Sequence, residues 1–346
     1  MSGHLTKSPT LLLVLAATLG ASGCRTAKGE ADLVESNRVA MGSQLRIAVW
    51  TADRETATRA IGDAFAEFER IEAALSVWRD GSDVQRLNAA AGVGPVAVGT
   101  DTRVVLRAAA EASRLTHGAF DITFGALSDV WRFDHDQDNR IPAPDEIADR
   151  LPLIDYAAVV VDETAGTAEI RRAGVRVHLG GIGKGYAVDR AVAILRDAGF
   201  ADFLIQAGGD LYAGGRRGDR PWRVGLQDPR GDANEHFATI DLEDETFSTS
   251  GDYERFFIES GVRYHHLLDP RTGQPARGCR SVTILARSAL VADWLSTGVF
   301  ILGPEEGLAL VESLPEAEAV IVTAGNEVRV SNGLRDRLTV EREPKP

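Results

Sequence analysis

The densest chemistry in the chain lies in Ser248-Thr249-Ser250-Gly251-Asp252-Tyr253-Glu254-Arg255, followed by Arg263-Tyr264-His265-His266-Leu267-Leu268-Asp269-Pro270-Arg271-Thr272-Gly273. Hydroxyls, carboxylates, two adjacent histidines and turn glycines gather there in types that packing alone does not require. A helical stretch follows, in which Asp293 and Thr297 stand four residues apart ahead of Gly303. That spacing puts both on one helix face with their oxygens side by side. Their neighbours are mostly Val, Ala, Leu, Phe and Ile. The pair therefore marks either a hard-cation site on a buried element or a buried aspartate that merely bonds nearby backbone.

A second candidate is His178-Leu179-Gly180-Gly181-Ile182-Gly183-Lys184-Gly185-Tyr186. Between a strand and a helix, such a loop presents backbone N–H groups to a phosphate, with Lys184 to neutralise it, or else makes a tight structural turn. It is not a Walker A loop, because Gly follows Lys184 and the leading Gly is missing. The Gly-x-Gly-x-x-Gly dinucleotide spacing does not fit either. Asp134-His135-Asp136-Gln137-Asp138 opens like an EF-hand, but Asn139 replaces the required Gly and Asp145 the closing Glu, so it reads as a solvated acidic loop. The chain has seven histidines and no His-Glu-x-x-His, which argues against zinc-protease chemistry. Ser248 and Ser250 lack the Gly-x-Ser-x-Gly elbow of hydrolases.

Several elements must position these groups. Gln44 to Trp50 reads as a strand, and Ala57, Ile61, Phe65, Phe68, Ile71 and Leu75 recur at helical steps after it. A second helix is expected from Thr102 to Thr116, capped by Thr100 or Asp101 and stopped by Gly118, and a third from Pro144 to Leu151. Strands are expected at Ala157–Val161, Thr167–Arg171 and Val175–Leu179, then a helix from Tyr186 to Ala198. Further strands fall near 203–207, 210–213, 222–227, 236–242, 254–259, 262–268 and Ser281–Ala286. The Asp293 helix, a helix near 305–313 and two closing strands complete the chain. No repeat, heptad run or Pro/Ser linker interrupts residues 40–340. Mixed elements with many antiparallel hairpins indicate an α+β fold: one compact unit of largely antiparallel sheets with packed helices, or two interleaved lobes.

The first 24 residues read as an export signal, with Lys7, an apolar run from Leu11 to Leu19, and Ala21-Ser22-Gly23-Cys24. The apolar run is too short to span a bilayer. Its end resembles a bacterial lipobox with Cys24 as the lipidated residue; ordinary signal cleavage is the alternative. Residues 25–40 read as a flexible tether and 41–340 as the functional domain. With Cys24 lipidated, Cys279 is the remaining thiol, which excludes an intrachain disulfide and a cysteine metal site. The net charge is −13, and an acidic exported protein is a poor binder of nucleic acid or anionic lipid. A phosphate-bearing ligand would need a local cation. Apolar residues make up 44% of the chain and 35 are glycines, as suits a globular, loop-rich protein.

Taken together, the segments resemble the FAD:protein FMN transferase family (ApbE proteins) across residues 41–303. The motifs are Met41-Gly42-Ser43, Leu75-Ser76-x-Trp78-x-x-x-Ser82-x-x-x-x-Leu87-Asn88, and Gly118-Ala119-Phe120-Asp121-Ile122-Thr123 through Leu127 to Trp131. Leu179 to Asp189, Gly208-Gly209-Asp210, Trp222-x-Val224-Gly225 and Asp228-Pro229 continue the series. Thr249-Ser250-Gly251-Asp252-Tyr253, His266-x-x-Asp269-Pro270-x-Thr272-Gly273 and Ala292-Asp293-x-x-x-Thr297 close it.

The resemblance implies an enzyme that binds FAD and Mg2+ and transfers FMN to a Thr or Ser hydroxyl of an acceptor flavoprotein, releasing AMP. It implies that Met41, Trp78, Ala119, Phe120, Asp121, Lys184 and Leu267 line the FAD site, with Trp78 where an aromatic, usually Tyr, packs on the substrate. His178 occupies a position that is usually an FAD-binding Asp. Gly181 (through its carbonyl), Asp293, Ser296 and Thr297 would hold the metal, and His266 would activate the acceptor hydroxyl. His265 is expected on the opposite strand face, tolerant of Ala. The acceptor would be an exported or membrane-anchored subunit of an electron-transport complex, and the enzyme would sit in the bacterial cell envelope, lipid-anchored and facing the periplasm or exterior. Hydrolysis of FAD to FMN and AMP, or FAD binding without catalysis, are the alternative activities.

Overall fold

The computed structural model describes residues 30–134 and 136–346; the signal stretch 1–24, Cys24 and His135 lie outside them. In chain order the first half holds β1 (Asp32–Ala40), β2 (Ser43–Thr51), α1 (Arg54–Leu75), α2 (Asp83–Ala89), β3 (Val96–Ala97), α3 (Thr100–Leu115), α4 (Pro144–Arg150), β4 (Val159–Asp162) and β5 (Thr167–Ile170). Then come α5 (Gly183–Asp197), β6 (Phe203–Ala207), β7 (Asp210–Gly214), β8 (Trp222–Gln227), β9 (His236–Leu242), β10 (Glu245–Gly251), β11 (Phe256–Glu259), β12 (Val262–His265), β13 (Leu268–Asp269) and β14 (Gln274–Pro275). The chain closes with β15 (Cys279–Ala286), α6 (Ala289–Leu302), α7 (Pro304–Glu312), β16 (Glu318–Thr323), β17 (Val328–Val330) and β18 (Thr339–Val340).

The frame is an antiparallel sheet in the order β1-β2-β6-β7-β10-β15-β16-β17. Strand residues alternate between its two faces. Leu45, Ile47, Val49, Ile205, Val282, Ile284 and Ile321 join α1, α5 and α6 in the main core. Ala48, Leu204, Leu211, Phe247, Leu285 and Val320 face the small sheet β18-β9-β8. The α+β expectation therefore holds, with helices on one face and strands on the other. The α1 helix is capped by Asp53, whose side chain accepts from the Thr56 N–H. Its stripe buries Phe65 and Phe68 completely, about 1.5–3 kcal/mol each in transfer terms.

Four expectations need correction here. The tether expected over 25–40 fails for Asp32–Ala40, which form β1 and pair with β2 along their whole length. An edge strand needs a partner on one side only, so its polar middle is tolerated, with Glu35 bonded to Arg46 across the hairpin. The connecting turn puts Met41 and Gly42 at positive φ, as a two-residue hairpin requires. The strand expected at Val175–Leu179 is absent: the Asn88 amide bonds both the Val177 N–H and its carbonyl, taking a neighbouring strand's place. Neither Thr100 nor Asp101 caps α3, whose N-cap residue is Gly99 and carries no side-chain cap. Asp101 is drawn instead to Arg70 and Tyr186. Finally, Asp134 of the acidic loop is ion-paired with Arg255 rather than merely solvated.

Candidate functional site

The site lies where α5, α6 and the end of β10 meet. The glycine run 180–185 gives α5 its N-terminus and lets it approach α6 closely. A Cβ on Gly185 would stand 2.1 Å from the Ala289 carbonyl oxygen and 2.7 Å from the Asp293 Cβ. The close approach lets the Gly185 N–H donate to Asp293 Oδ2 at 2.8 Å. Asp189, one turn further along α5, accepts from the Ala289 and Leu290 N–H groups and from Ser288 Oγ, so α5 itself caps α6. β10 turns Ser248 and Ser250 toward the helix: Ser250 Oγ is 2.8 Å from Ser296 Oγ and 3.1 Å from Thr297 Oγ1.

Lys184 sits between two buried carboxylates, 3.1 Å from Asp210 Oδ2 and 3.7 Å from Asp293 Oδ1. Burial opposes its charge, but the two aspartates outweigh that and hold the ammonium above its usual pKa. Burial, followed by the neighbouring Asp210, pushes Asp293 up to about 7 against the pull of Lys184. Asp210 Oδ1 accepts from Ser248 Oγ, while its buried Oδ2 faces the Lys184 ammonium. Two carboxylates and the hydroxyls of Ser248, Ser250, Ser296 and Thr297 thus form an all-oxygen cluster suited to a hard cation. A Cβ on Gly181 would stand 3.4 Å from Thr297 Oγ1, so that backbone closes the same cluster.

A cavity of about 1340 Å³ of atom-free space, mouth included, opens onto these groups. Of the expected FAD-site residues, Trp78, Ala119, Phe120, Asp121, His178, Lys184 and Leu267 line it, as do Gly181, Asp293 and Thr297. Met41 borders an adjoining pocket that shares Trp78, His178, Gly180 and Lys184. Ser296 lies behind the wall, fully buried, its Oγ donating to the Asp293 carbonyl. Trp78 is half exposed, presenting an aromatic ring at the rim. The Asp121 carboxylate is taken up by the Thr123 N–H and hydroxyl and by the Tyr156 N–H, so it shapes the loop that carries Phe120.

The two neighbouring histidines are both enclosed. His266 lines the cavity with Nδ1 buried and lacking a hydrogen-bond partner. Burial, then the Arg255 charge, depresses its pKa to about 3. His265 points the other way, yet it is buried: its Nε2 is 2.8 Å from the Ala276 carbonyl and its ring meets Phe300 edge-on. Burial lowers its pKa to about 4. His265 thus ties β12 to the 276 segment, a contact that Ala would lose. His178 Nδ1 accepts from the Gly180 N–H at 3.1 Å, and its ring leans on Phe124. Burial lowers its pKa as well.

Asp210, Ser248, Ser250, Glu254 and Arg255 also line the cavity without having been assigned roles from sequence. The Gly-Gly-Asp run ahead of β7 was visible, but only the sheet brings Asp210 to Lys184.

Fold and cavity together define an α+β protein that can hold an anionic ligand and a hard cation side by side at the helix–sheet seam. The sequence model of the ApbE family matches residues 41–321. A FAD:protein FMN transferase of Treponema pallidum is 32% identical, with 92% of each chain covered, and one of Klebsiella pneumoniae is 32% identical over 87% of this chain and 92% of its own. The crystal structure of the ApbE protein of Thermotoga maritima superposes with a TM-score of 0.82 at 35% identity, covering 90% of this chain and all of that one. The flavin transferase ApbE of Vibrio cholerae gives 0.80 at 26%, covering 89% and 99%. The chain belongs to the ApbE family.

Proposed function

We propose that this protein is a magnesium-dependent FAD:protein FMN transferase, moving FMN from FAD to a Thr or Ser hydroxyl of an acceptor flavoprotein and releasing AMP. The observation that carries the reading is Lys184, held between Asp210 and Asp293 at a glycine-rich helix N-terminus inside a cavity with an aromatic rim. The Lys184 ammonium suits a pyrophosphate, and Trp78 and Phe120 suit the rings at its ends. The acceptor oxygen forms a bond to the FMN phosphorus as the bond to the bridging oxygen breaks. AMP leaves with that oxygen and its electron pair, and the hydroxyl gives up its proton.

Asp293, Thr297, Ser296 and the Gly181 carbonyl would hold the metal, with Asp210 within reach of the same cluster. A bound Mg2+ supplies neutralisation of charge developing on the pyrophosphate. Lys184 adds a second positive charge from the protein itself. His266 is neutral at pH 7 and keeps one imidazole nitrogen free, so it can accept the hydroxyl proton. Burial is the main cause of its depressed pKa, and an anionic substrate near Arg255 and Lys184 would offset the part that their charges add.

The run Ala21-Ser22-Gly23-Cys24 supports anchoring through a lipid on Cys24 in the bacterial envelope, with exported electron-transport subunits as acceptors. Among the described residues no helix is long and apolar enough to cross a membrane.

The test incubates the full chain, in detergent, with FAD, Mg2+ and exported proteins of the same bacterium. The expected result is an FMN-sized mass increase on a Thr or Ser of one of them, dependent on Mg2+. Steady AMP release with no labelled protein would instead establish FAD hydrolysis.

A further inference from the structure

Behind the catalytic cavity, on the opposite face of the large sheet, lies a second opening of about 940 Å³ on the same measure. Its floor is the face-alternating set Arg46, Leu204, Gln206, Leu211, Phe247 and Thr249, and one wall is β8. Gly208, Gly209, Thr249 and Glu254 line both this slot and the catalytic cavity, so the two adjoin at the β6–β7 turn. The order β18-β9-β8 makes β8 an edge strand, paired on one side only. Consecutive residues Trp222, Arg223, Val224 and Gly225 line the slot, which is the signature of a strand presenting its edge rather than one face.

The reaction requires such a feature. On the transferase reading FAD would occupy the cavity lined by the glycine loop and Trp78, and an acceptor hydroxyl carried by a protein would need another approach to the same phosphorus. The shared Gly208-Gly209 turn has little side chain to obstruct that path. Thr249 and Glu254 stand beside it, and the floor carries the exposed Gln206.

We propose that the slot is the acceptor's docking site: an extended acceptor segment adds to the free edge of β8 and passes its Thr or Ser over Gly208-Gly209 into the catalytic cavity. Main-chain hydrogen bonds to β8 supply affinity, and the floor residues read alternate side chains of the segment. The six residues of β8 span about 20 Å, enough for an added strand of similar length. This inference rests on the transferase reading.

The probe is a synthetic twelve-residue peptide centred on the hydroxyl residue that gains FMN in the experiment above. Gln206→Trp fills the slot floor, and Val39→Trp, on the exposed edge strand β1, serves as control. Gln206→Trp is expected to raise the KM for the peptide about tenfold or more while leaving the Kd for FAD unchanged; the control changes neither. N-methylation of the peptide's amides should weaken transfer at alternate positions only, as strand addition demands. Where Gln206→Trp also disturbs FAD binding, Gln206→Cys is tested for disulfide capture of a peptide carrying Cys near its hydroxyl residue. Capture at 206 but not at Val39→Cys supports the slot. An unchanged KM in Gln206→Trp, or equal capture at both positions, overturns it. Wild-type protein that labels no acceptor refutes the transferase reading first, and the docking site falls with it.

Discussion

Two glycines two residues apart in the α5 N-terminus should respond to the same substitution with opposite sign. At Gly183 an added Cβ meets Leu75 Cδ1 at 3.6 Å and Met41 Cε at 3.8 Å, ordinary van der Waals contact. At Gly185 it meets the Ala289 carbonyl oxygen at 2.1 Å, the Ala289 carbonyl carbon at 2.7 Å and Asp293 Cβ at 2.7 Å. The Ala289 contacts are backbone and Asp293 Cβ is the root of its side chain, so nothing flexible can give way, and α5 and α6 must separate by roughly 1 Å to restore normal contact. Gly183→Ala should be neutral or stabilising by up to about 1 kcal/mol, through helix propensity. Gly185→Ala should cost about 1–3 kcal/mol from overpacking. It should also impair transfer, because the 2.8 Å bond from the Gly185 N–H to Asp293 stretches. Urea denaturation of both variants, alongside the rate of FMN transfer, measures the contrast. Equal stability of the two, or full activity in Gly185→Ala, would refute the reasoning about helix approach.

Asp293→Asn keeps an acceptor for the Gly185 N–H but removes a charge from the proposed metal cluster; it should fold normally and lose FMN transfer, and full activity at ordinary Mg2+ concentrations would reject the ligand role. His266→Ala should bind FAD and transfer FMN on the order of 10²-fold more slowly, which single-turnover kinetics would show. His265 is held neutral with a folded pKa of about 4. As pH falls from 6.5 toward 4 the unfolded chain takes up a proton that the folded one refuses, so up to about 3 kcal/mol of stability is lost across that window. Urea midpoints of wild type should fall there more steeply than those of His265→Gln, and parallel curves would remove His265 as the cause. His178 has a depressed pKa, so any pH dependence of FAD affinity due to it should appear below pH 6.5 and vanish in His178→Asp; FAD titrations in both proteins test this.

Local chemistry made much of this protein readable from its residues. The stripe from Ala57 to Leu75 defined α1, because burial on one helix face imposes its period. The Asp293–Thr297 spacing and the glycine run marked two halves of the cavity, because helix geometry and loop conformation are short-range properties. The alternation of helices and hairpins indicated the α+β fold, and the family motifs pointed to most of the lining residues. The tertiary structure decided what depends on distant partners. Residues 32–40 have no strong strand pattern, and only pairing with β2 makes them a strand. Val175–Leu179 looks like a strand, but Asn88 supplies the bonds that a neighbour would have given. Asp210 meets Lys184 only because β7 and α5 pack against each other, and Asp189 reaches Ala289 for the same kind of reason. His265 and His266 are adjacent in sequence, yet His265 closes β12 and turns into the core, while His266, at the bend just after it, lines the cavity. Burial is the main cause of both depressed pKa values, with Arg255 adding to it at His266 only, and the order of residues along a chain specifies neither.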